Sequence, residues 1–432
     1  MSNNASLRVI IAGGGIGGLA LANGLRRAGV GVSVHEREIE RTDRLQGFRI
    51  HISPKGSQAL AELLSPQMFS TFISRTGKGD ISFGFITEQM KQLLEFDPVE
   101  PTNNPAGGDR YGVSRITLRQ ILLAELGDTV RFGSMYERYE RRQDGRVVAH
   151  FANGTTEIGD VLVGADGGTS RVRAQYLPHA QRIDTGIVTI AGKYPLTPET
   201  RDRLDPVLLR HPVSVIPPTG CGLFVAPHEF DEPTDDALLG ATAPPVTGAL
   251  FDNSQSYVLW GFGAKRAHFG ADLEALDTGQ LHDLAVRMTE GWAPALRRLV
   301  ADTDTDTVTL LPIKTSVPLD AWETTSVTLL GDAIHSMTPF GGVGANTALR
   351  DAQLLCRKLT AVDRGEQPLL PAIHEYEAQM IDYGFAAVRT SLRAANQSVS
   401  DNRLARTAGR LVFRTVNAVP PLRRKMFAGL GA

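Results

Sequence analysis

A chain of 432 residues is longer than one hydrophobic core usually serves, which predicts two or three packed units sharing a ligand. Its 42% hydrophobic and 21% charged residues exclude the disordered and membrane-embedded classes, and 45 basic against 47 acidic side chains give the whole chain no electrostatic reason to bind nucleic acid. No apolar run approaches the roughly 20 residues of an integral membrane helix, and Cys221 and Cys356 are too far apart for a CxxC redox or zinc motif, so they read as free thiols of a cytoplasmic protein without a metal site.

The opening MSNNASLRVIIAGGG lacks the small-residue cleavage pattern of a signal peptide and reads as the first strand, LRVIIA over 7–12, running into a glycine turn. A helix over 19–28, closed by Gly29, and a second strand, VGVSVHE over 30–36, complete the opening of a doubly wound α/β domain. YGVSRITLRQILLAELG, 111–127, has Ile116, Leu118, Leu122, Leu123 and Leu126 at helical spacing, and DVLVGADGGTSRVR, 160–173, is a buried strand, a turn and a helix start. From 182 to 320 the texture changes to extended runs separated by Pro, Gly and Asp, the pattern of a mostly antiparallel sheet. Residues 231–255 read as a long surface loop, and SVTLLGD, 326–332, restores the parallel-strand pattern.

The fold class is therefore α/β: a Rossmann-like domain over 1–180, with inserted segments around 50–110, interrupted by a substrate-binding sheet domain over 181–320 and resumed over 321–365. A C-terminal helical region over 366–432 follows. After Ala387 that tail carries nine Arg or Lys against one acid, Asp401, which fits a terminal helix packed on the protein with its arginines in solvent, or a basic amphipathic helix lying on a membrane or an acidic partner.

Three stretches point to one ligand. Gly13, Gly15 and Gly18 of GGGIGG, with Ile16 and Gly17 between them, fit GxGxxG between a strand and a helix, where backbone N–H groups and the helix dipole meet a pyrophosphate. Glu36, eighteen residues after Gly18 and followed by Arg37, can accept the hydroxyls of an adenosine ribose, which leaves both NAD and FAD open. Asp166, at the end of the strand in GADGGTSRVR, can cap a helix or meet a ligand. In GDAIHSMTPFGGVGAN, Gly331 and Asp332 end a strand, where the acid can hold a polyol hydroxyl, and Pro339, Gly341, Gly342, Val343, Gly344, Ala345 and Asn346 form a turn whose N–H groups can face a flat ring.

The order GxGxxG, GADG..S.VR, GDA.H...P..G.GAN resembles the class A flavoprotein monooxygenases, whose fold is that of para-hydroxybenzoate hydroxylase, from the N-terminus to about residue 360. The resemblance implies FAD as cofactor, NADH or NADPH as electron donor and O₂ as co-substrate. It assigns Gly13, Gly15, Gly18 and Glu36 to the adenosine diphosphate, Asp332 to the ribose or ribityl region and residues 341–346 to the isoalloxazine. Arg115, in the pattern R..L...L, becomes an FAD contact, and Asp166 serves both FAD and NAD(P)H. RLQGFRIHI departs from the GAGI-like run of many relatives: Gly47 still approaches the flavin, while Arg49 and His51 have no assigned part. The implied reaction is hydroxylation or epoxidation of an aromatic or polyketide-like small molecule through a flavin C4a-hydroperoxide, of the kind used in secondary metabolism.

The implied substrate pocket makes His51, Trp260 and Phe262 its candidates, each with a competing role in the core. His335 is expected to be structural, near the FAD phosphates. A cyclase or binding protein with structural FAD would carry the same motifs. A disulfide reductase lacks its cysteine pair, a flavin halogenase lacks its WxWxIP, since Trp260, Trp292 and Trp322 stand apart, and an NAD dehydrogenase leaves the GD segment unexplained. Substrate, nicotinamide preference and oligomeric state are not written in these motifs.

Overall fold

The computed structural model describes residues 6–39, 49–76, 82–96, 102, 104–229, 256–270 and 272–423. The expected loop at 231–255 and Gly47 lie outside the described residues. A five-stranded parallel sheet runs in the order Val327–Leu329, Val161–Gly164, Arg8–Ala12, Gly31–His35, Val130–Arg131. The runs VIIA, VLVG and VTL are apolar without alternation because helices or further strands cover both faces, and every one of these residues is buried. Helix Ile16–Arg27 follows the first strand and packs on helix Gly344–Asp363, so the first and third glycine turns belong to neighbouring helices.

Over 111–127 the helical spacing overreaches. Tyr111–Ser114 is a strand paired antiparallel with Arg49–Ile52, and the helix is Arg115–Ala124, where the Ser114 hydroxyl accepts the Ile116 N–H at 3.3 Å.

The second unit is a seven-stranded sheet ordered Thr309–Ser316, Arg182–Pro195, Tyr257–Lys265, Cys221–His228, Val213–Val215, Gly84–Ile86, Gln92–Glu95. All of its pairings are antiparallel except Val213–Val215 with Gly84–Ile86. One face buries Val188, Tyr194, Trp260 and Phe262 against helices Thr278–Met288 and Pro294–Ala301. The opposite face carries Tyr257 and Leu259 and, where a Cβ on Gly263 would lie 3.8 Å from the Phe340 ring, looks toward the third glycine turn.

The 30-residue helix Leu369–Ser398 returns along the parallel domain, and helix Arg403–Ala418 crosses to the sheet. Arg406 is buried there and donates to the carbonyls of Pro217 at 2.9 Å, Ser398 at 2.7 Å and Cys221 at 2.7 Å. Part of the basic tail is thus consumed as packing, while Leu404 and Leu411 stay exposed. Among the described residues no helix is long and apolar enough to cross a membrane.

Candidate active site

The first glycine turn opens on a cavity of about 400 Å³. Gly13 sits at φ +113°, and a Cβ there would lie 2.3 Å from the Ala165 carbonyl oxygen, so the turn closes against the GADGG segment only with glycine. Gly15 is the reverse case, since nothing lies within 4 Å of a Cβ built on it. The helix it begins has no side-chain cap, which leaves first-turn N–H groups and the positive end of the dipole facing that space.

Glu36 lines the same cavity, its Oε2 accepting the Gly14 N–H at 2.6 Å and its Oε1 the Glu38 N–H at 3.0 Å. Ile16, Arg37, Arg115 and Asp166 border it as well. Arg119, one helical turn beyond Arg115, was not singled out by the motifs; its Nε donates to the Gly14 carbonyl at 3.0 Å and its Nη2 pairs with Glu38 at 2.8 Å. The signal was present in RITLR, where Arg115 and Arg119 are four apart and share a face.

Both readings of Asp166 have a basis in its geometry. Its Oδ2 accepts the N–H groups of Arg171 at 2.7 Å and Val172 at 3.3 Å, as a helix cap does, while its Oδ1 is buried on the cavity wall without a hydrogen-bond partner among the described residues. Burial raises its pKa against the hydrogen bonds it receives. An orphaned acceptor beside an open glycine turn and uncapped helical N–H groups suits a ligand with hydroxyls and phosphates, and in that respect the residues present fit FAD.

At the third stretch, Gly331 adopts φ +62° where the strand Val327–Leu329 gives way to a single helical turn, Asp332–His335, and the Asp332 side chain is exposed at the crevice. The turn is held from behind by the wholly buried Asp351, whose Oδ2 accepts the Gly331 N–H at 2.8 Å and meets His335 Nε2 at 2.6 Å, and whose Oδ1 accepts the Tyr383 hydroxyl at 2.6 Å. Arg173, the last residue of the GADGGTSRVR run, donates to the Ala333 carbonyl at 2.8 Å and to the Gly168 carbonyl at 3.1 Å. The second and third motifs are therefore wired together.

Pro339, Gly341 and Gly342 are exposed, Val343 gives helix Gly344–Asp363 no side-chain cap, and the Ala345 position lies in its first turn. Asn346 lies in the first turn of that helix with its side chain buried. Its amide is used within the protein, donating to the His51 carbonyl at 2.8 Å and the Gly342 carbonyl at 3.1 Å and accepting the Ser53 N–H at 2.7 Å. It fastens strand Arg49–Ile52 to the glycine turn, with a Cβ on Gly342 only 3.9 Å from His51 Cβ.

Trp260 and Phe262 do not belong to the pocket. Both are wholly buried on the far face of the sheet, Trp260 donating its Nε1–H to Thr303 Oγ1 at 2.8 Å and Phe262 packing on Phe269 and Trp292. Alternation along the strand puts Tyr257, Leu259, Gly261 and Gly263 on the crevice side instead. Two further groups of that face, Lys193 and His228, carried no motif signal and are brought beside Arg49 by the sheet.

A family model described as an FAD binding domain matches residues 286–389. The dual O-methyltransferase/FAD-dependent monooxygenase of Cercospora beticola is 31% identical over 403 residues, 86% of this chain and 44% of the fungal protein. The FAD-dependent urate hydroxylase of Klebsiella pneumoniae is 30% identical over 389 residues, 87% of this chain and 86% of that enzyme. The chain belongs to the class A FAD-dependent monooxygenase family.

Among solved structures, a Photorhabdus luminescens protein assigned as an FAD-containing monooxygenase superposes on this family member with a TM-score of 0.80 at 35% identity, covering 91% of this chain and 99% of the other. The Klebsiella pneumoniae protein HpxO, solved with FAD and uric acid, shares the fold at a TM-score of 0.77 and 24% identity, over 96% of this chain and 95% of the other. This monooxygenase-family chain spans less than half the length of the fungal dual proteins.

Proposed function

We propose that the protein is an NADH- or NADPH-consuming FAD monooxygenase that places one oxygen atom of O₂ on an aromatic or polyketide-like small molecule. The observation that carries this reading is the pairing of two glycine turns at uncapped helix N-termini, Gly15 and Gly344, on helices that pack on each other. One turn serves a diphosphate and the other a flat ring that gains negative charge when reduced.

In this reading the first-turn N–H groups after Gly15 hold the phosphates and Glu36 takes the ribose hydroxyls, with Arg115 and Arg119 on the flank. Asp332 and the Asp166 Oδ1 accept hydroxyl donors farther along. The N-terminus of Gly344–Asp363 stabilises negative charge at the pyrimidine edge, and the sheet face bearing Leu259 and Gly263 excludes water and orients substrate. Bound FAD supplies the electron transfer from the nicotinamide and the activation of O₂. Relatives named for urate, zeaxanthin and aurachin C support a small organic substrate rather than a macromolecule. The free, buried thiols of Cys221 and Cys356, both pushed up by burial, suit a cytoplasmic enzyme.

The test is an absorption spectrum of the purified protein followed by NADH and NADPH oxidation across aromatic substrates under ¹⁸O₂. A flavin spectrum and substrate-dependent transfer of one labelled oxygen are expected. Product formed with cofactor reduction blocked would instead make FAD a structural group.

A further inference from the structure

Helix Arg403–Ala418 is amphipathic, yet it docks on the protein by its more polar side. Arg406, Arg410, Phe413 and Asn417, spaced by four, three and four residues, share the face that meets the sheet domain. Arg406 is spent on its three carbonyls, Arg410 donates to Glu88 at 2.9 Å, the Phe413 ring stacks 4.6 Å from that of Phe85, and Asn417 Oδ1 accepts the Glu95 N–H at 3.0 Å. Hydrogen bonds and one ring therefore hold the helix in place. Its other side shows solvent Leu404, 84% exposed, Leu411, 63% exposed, and Val412, 55% exposed, with Ala408 between them. Leucines exposed singly need no explanation, but an aliphatic stripe along one helix face is the surface a helix normally buries.

The charges beside the stripe are one-sided. Arg403 and Arg414, eleven residues apart and so on one edge of it, are exposed, and neither side chain has a hydrogen bond or ion pair among the described residues. The acids that precede or touch the helix are already matched: Asp401 by Lys265 at 2.6 Å and His268 at 3.1 Å, Glu88 by Arg410, and Glu95 by His211 at 3.0 Å and Arg210 at 3.4 Å. What remains for a partner is an aliphatic ridge edged by two uncommitted guanidiniums, which asks for apolar depth and negative charge together. In an antiparallel pair of two such helices the arginine edges would fall side by side, like charge against like. An anionic bilayer has the matching charge and needs no preformed groove, since aliphatic side chains enter it singly at the headgroup boundary.

We propose that the outward face of helix Arg403–Ala418 is a docking surface for an anionic lipid bilayer, with Leu404, Leu411 and Val412 inserted at the headgroup boundary and Arg403 and Arg414 set on lipid phosphates and carboxylates. The helix lies in the plane of that surface and crosses nothing. Its inward contacts with Glu88, Phe85 and the Glu95 N–H stay as they are, so docking requires no rearrangement of the fold. The inference adds a surface to the monooxygenase reading and does not rest on it.

The purified full chain is sedimented with vesicles of phosphatidylcholine alone, or of equal parts phosphatidylcholine and phosphatidylserine, at low and high salt. Wild type is expected to bind the anionic vesicles about tenfold or more tighter than the neutral ones, with the advantage shrinking as salt rises. Leu404→Ser with Leu411→Ser should weaken binding to the anionic vesicles about tenfold or more. Arg403→Gln with Arg414→Gln should remove most of the preference for phosphatidylserine. All four side chains face water, so both double variants should keep the wild-type unfolding temperature and flavin content, and the arginine pair tests the idea even where the leucine pair fails to fold. No binding to anionic vesicles, equal binding to the two compositions, or binding that survives the leucine substitutions overturns the proposal. A lipid-indifferent dimer that Leu404→Ser with Leu411→Ser dissociates overturns it as well, and gives the stripe to a second copy of this chain. A chain that takes up no FAD sinks the monooxygenase reading and leaves the vesicle result to stand by itself.

Discussion

His335 Nε2 and Asp351 Oδ2 stand 2.6 Å apart with both side chains out of solvent, and the same carboxylate carries the Gly331 N–H and the Tyr383 hydroxyl. Burial opposes a proton on His335, but the charge and hydrogen bond of Asp351, with Asp332 behind them, outweigh it and raise its pKa. The pair thus braces the turn that presents Asp332 rather than touching a ligand itself. Asp351→Ala strips three donors of their acceptor at once, and a loss of about 3–5 kcal/mol is expected in denaturant unfolding. FAD retention should fall with it; an unchanged unfolding midpoint would remove the bracing role.

The two glycines of the first turn separate folding from binding. Gly15→Ala adds a methyl that meets nothing within 4 Å, so the flavin-free protein should unfold at the wild-type temperature while FAD content after purification drops at least tenfold. Gly13→Ala combines φ +113° with a 2.3 Å clash on a carbonyl oxygen and should lower stability by more than about 2 kcal/mol even without cofactor. Calorimetry of the flavin-free forms checks both, and an intact cofactor in Gly15→Ala would refute the placement of the diphosphate.

Trp260 tests the sheet's two faces. Trp260→Phe forfeits the hydrogen bond to Thr303 Oγ1 and leaves a small cavity in the core beneath helices Thr278–Met288 and Pro294–Ala301, a loss of roughly 2 kcal/mol. The KM for any substrate should stay within about twofold. A raised KM with unchanged stability would return the residue to the pocket.

Glu377 sets a pH dependence of stability. Burial raises its pKa from 4.5 to about 7, against hydrogen bonds from Thr324 and Thr328, so the folded protein favours the protonated acid. The stabilisation is complete below the unfolded pKa and is lost as pH rises through the folded one. Glu377→Gln should therefore match wild type near pH 4.5 and exceed it by up to about 3 kcal/mol at pH 8. Urea unfolding at the two values measures it, and a gain that is larger at the acid end would reverse the assignment.

The sequence by itself determined the parallel sheet, the three glycine-bearing turns and their order, because each depends on neighbours in the chain: an apolar run, a residue needing positive φ, an acid at a strand end. Cofactor chemistry was legible for the same reason, since the proposed FAD contacts are largely backbone groups. Tertiary packing decided what side chains do. In YVLWGFGAK both alternating sets are apolar, and only the helices stacked on one side commit Trp260 and Phe262 to the core and Leu259 and Gly263 to the crevice. Asn346 stands in the expected ring cradle, and only the fold shows that its side-chain amide is taken by strand Arg49–Ile52 and Ser53, some three hundred residues away. Arg49, Lys193 and His228 belong to no motif; a cluster of charge assembled from distant strands exists only once the domains close on each other, and burial then makes it matter.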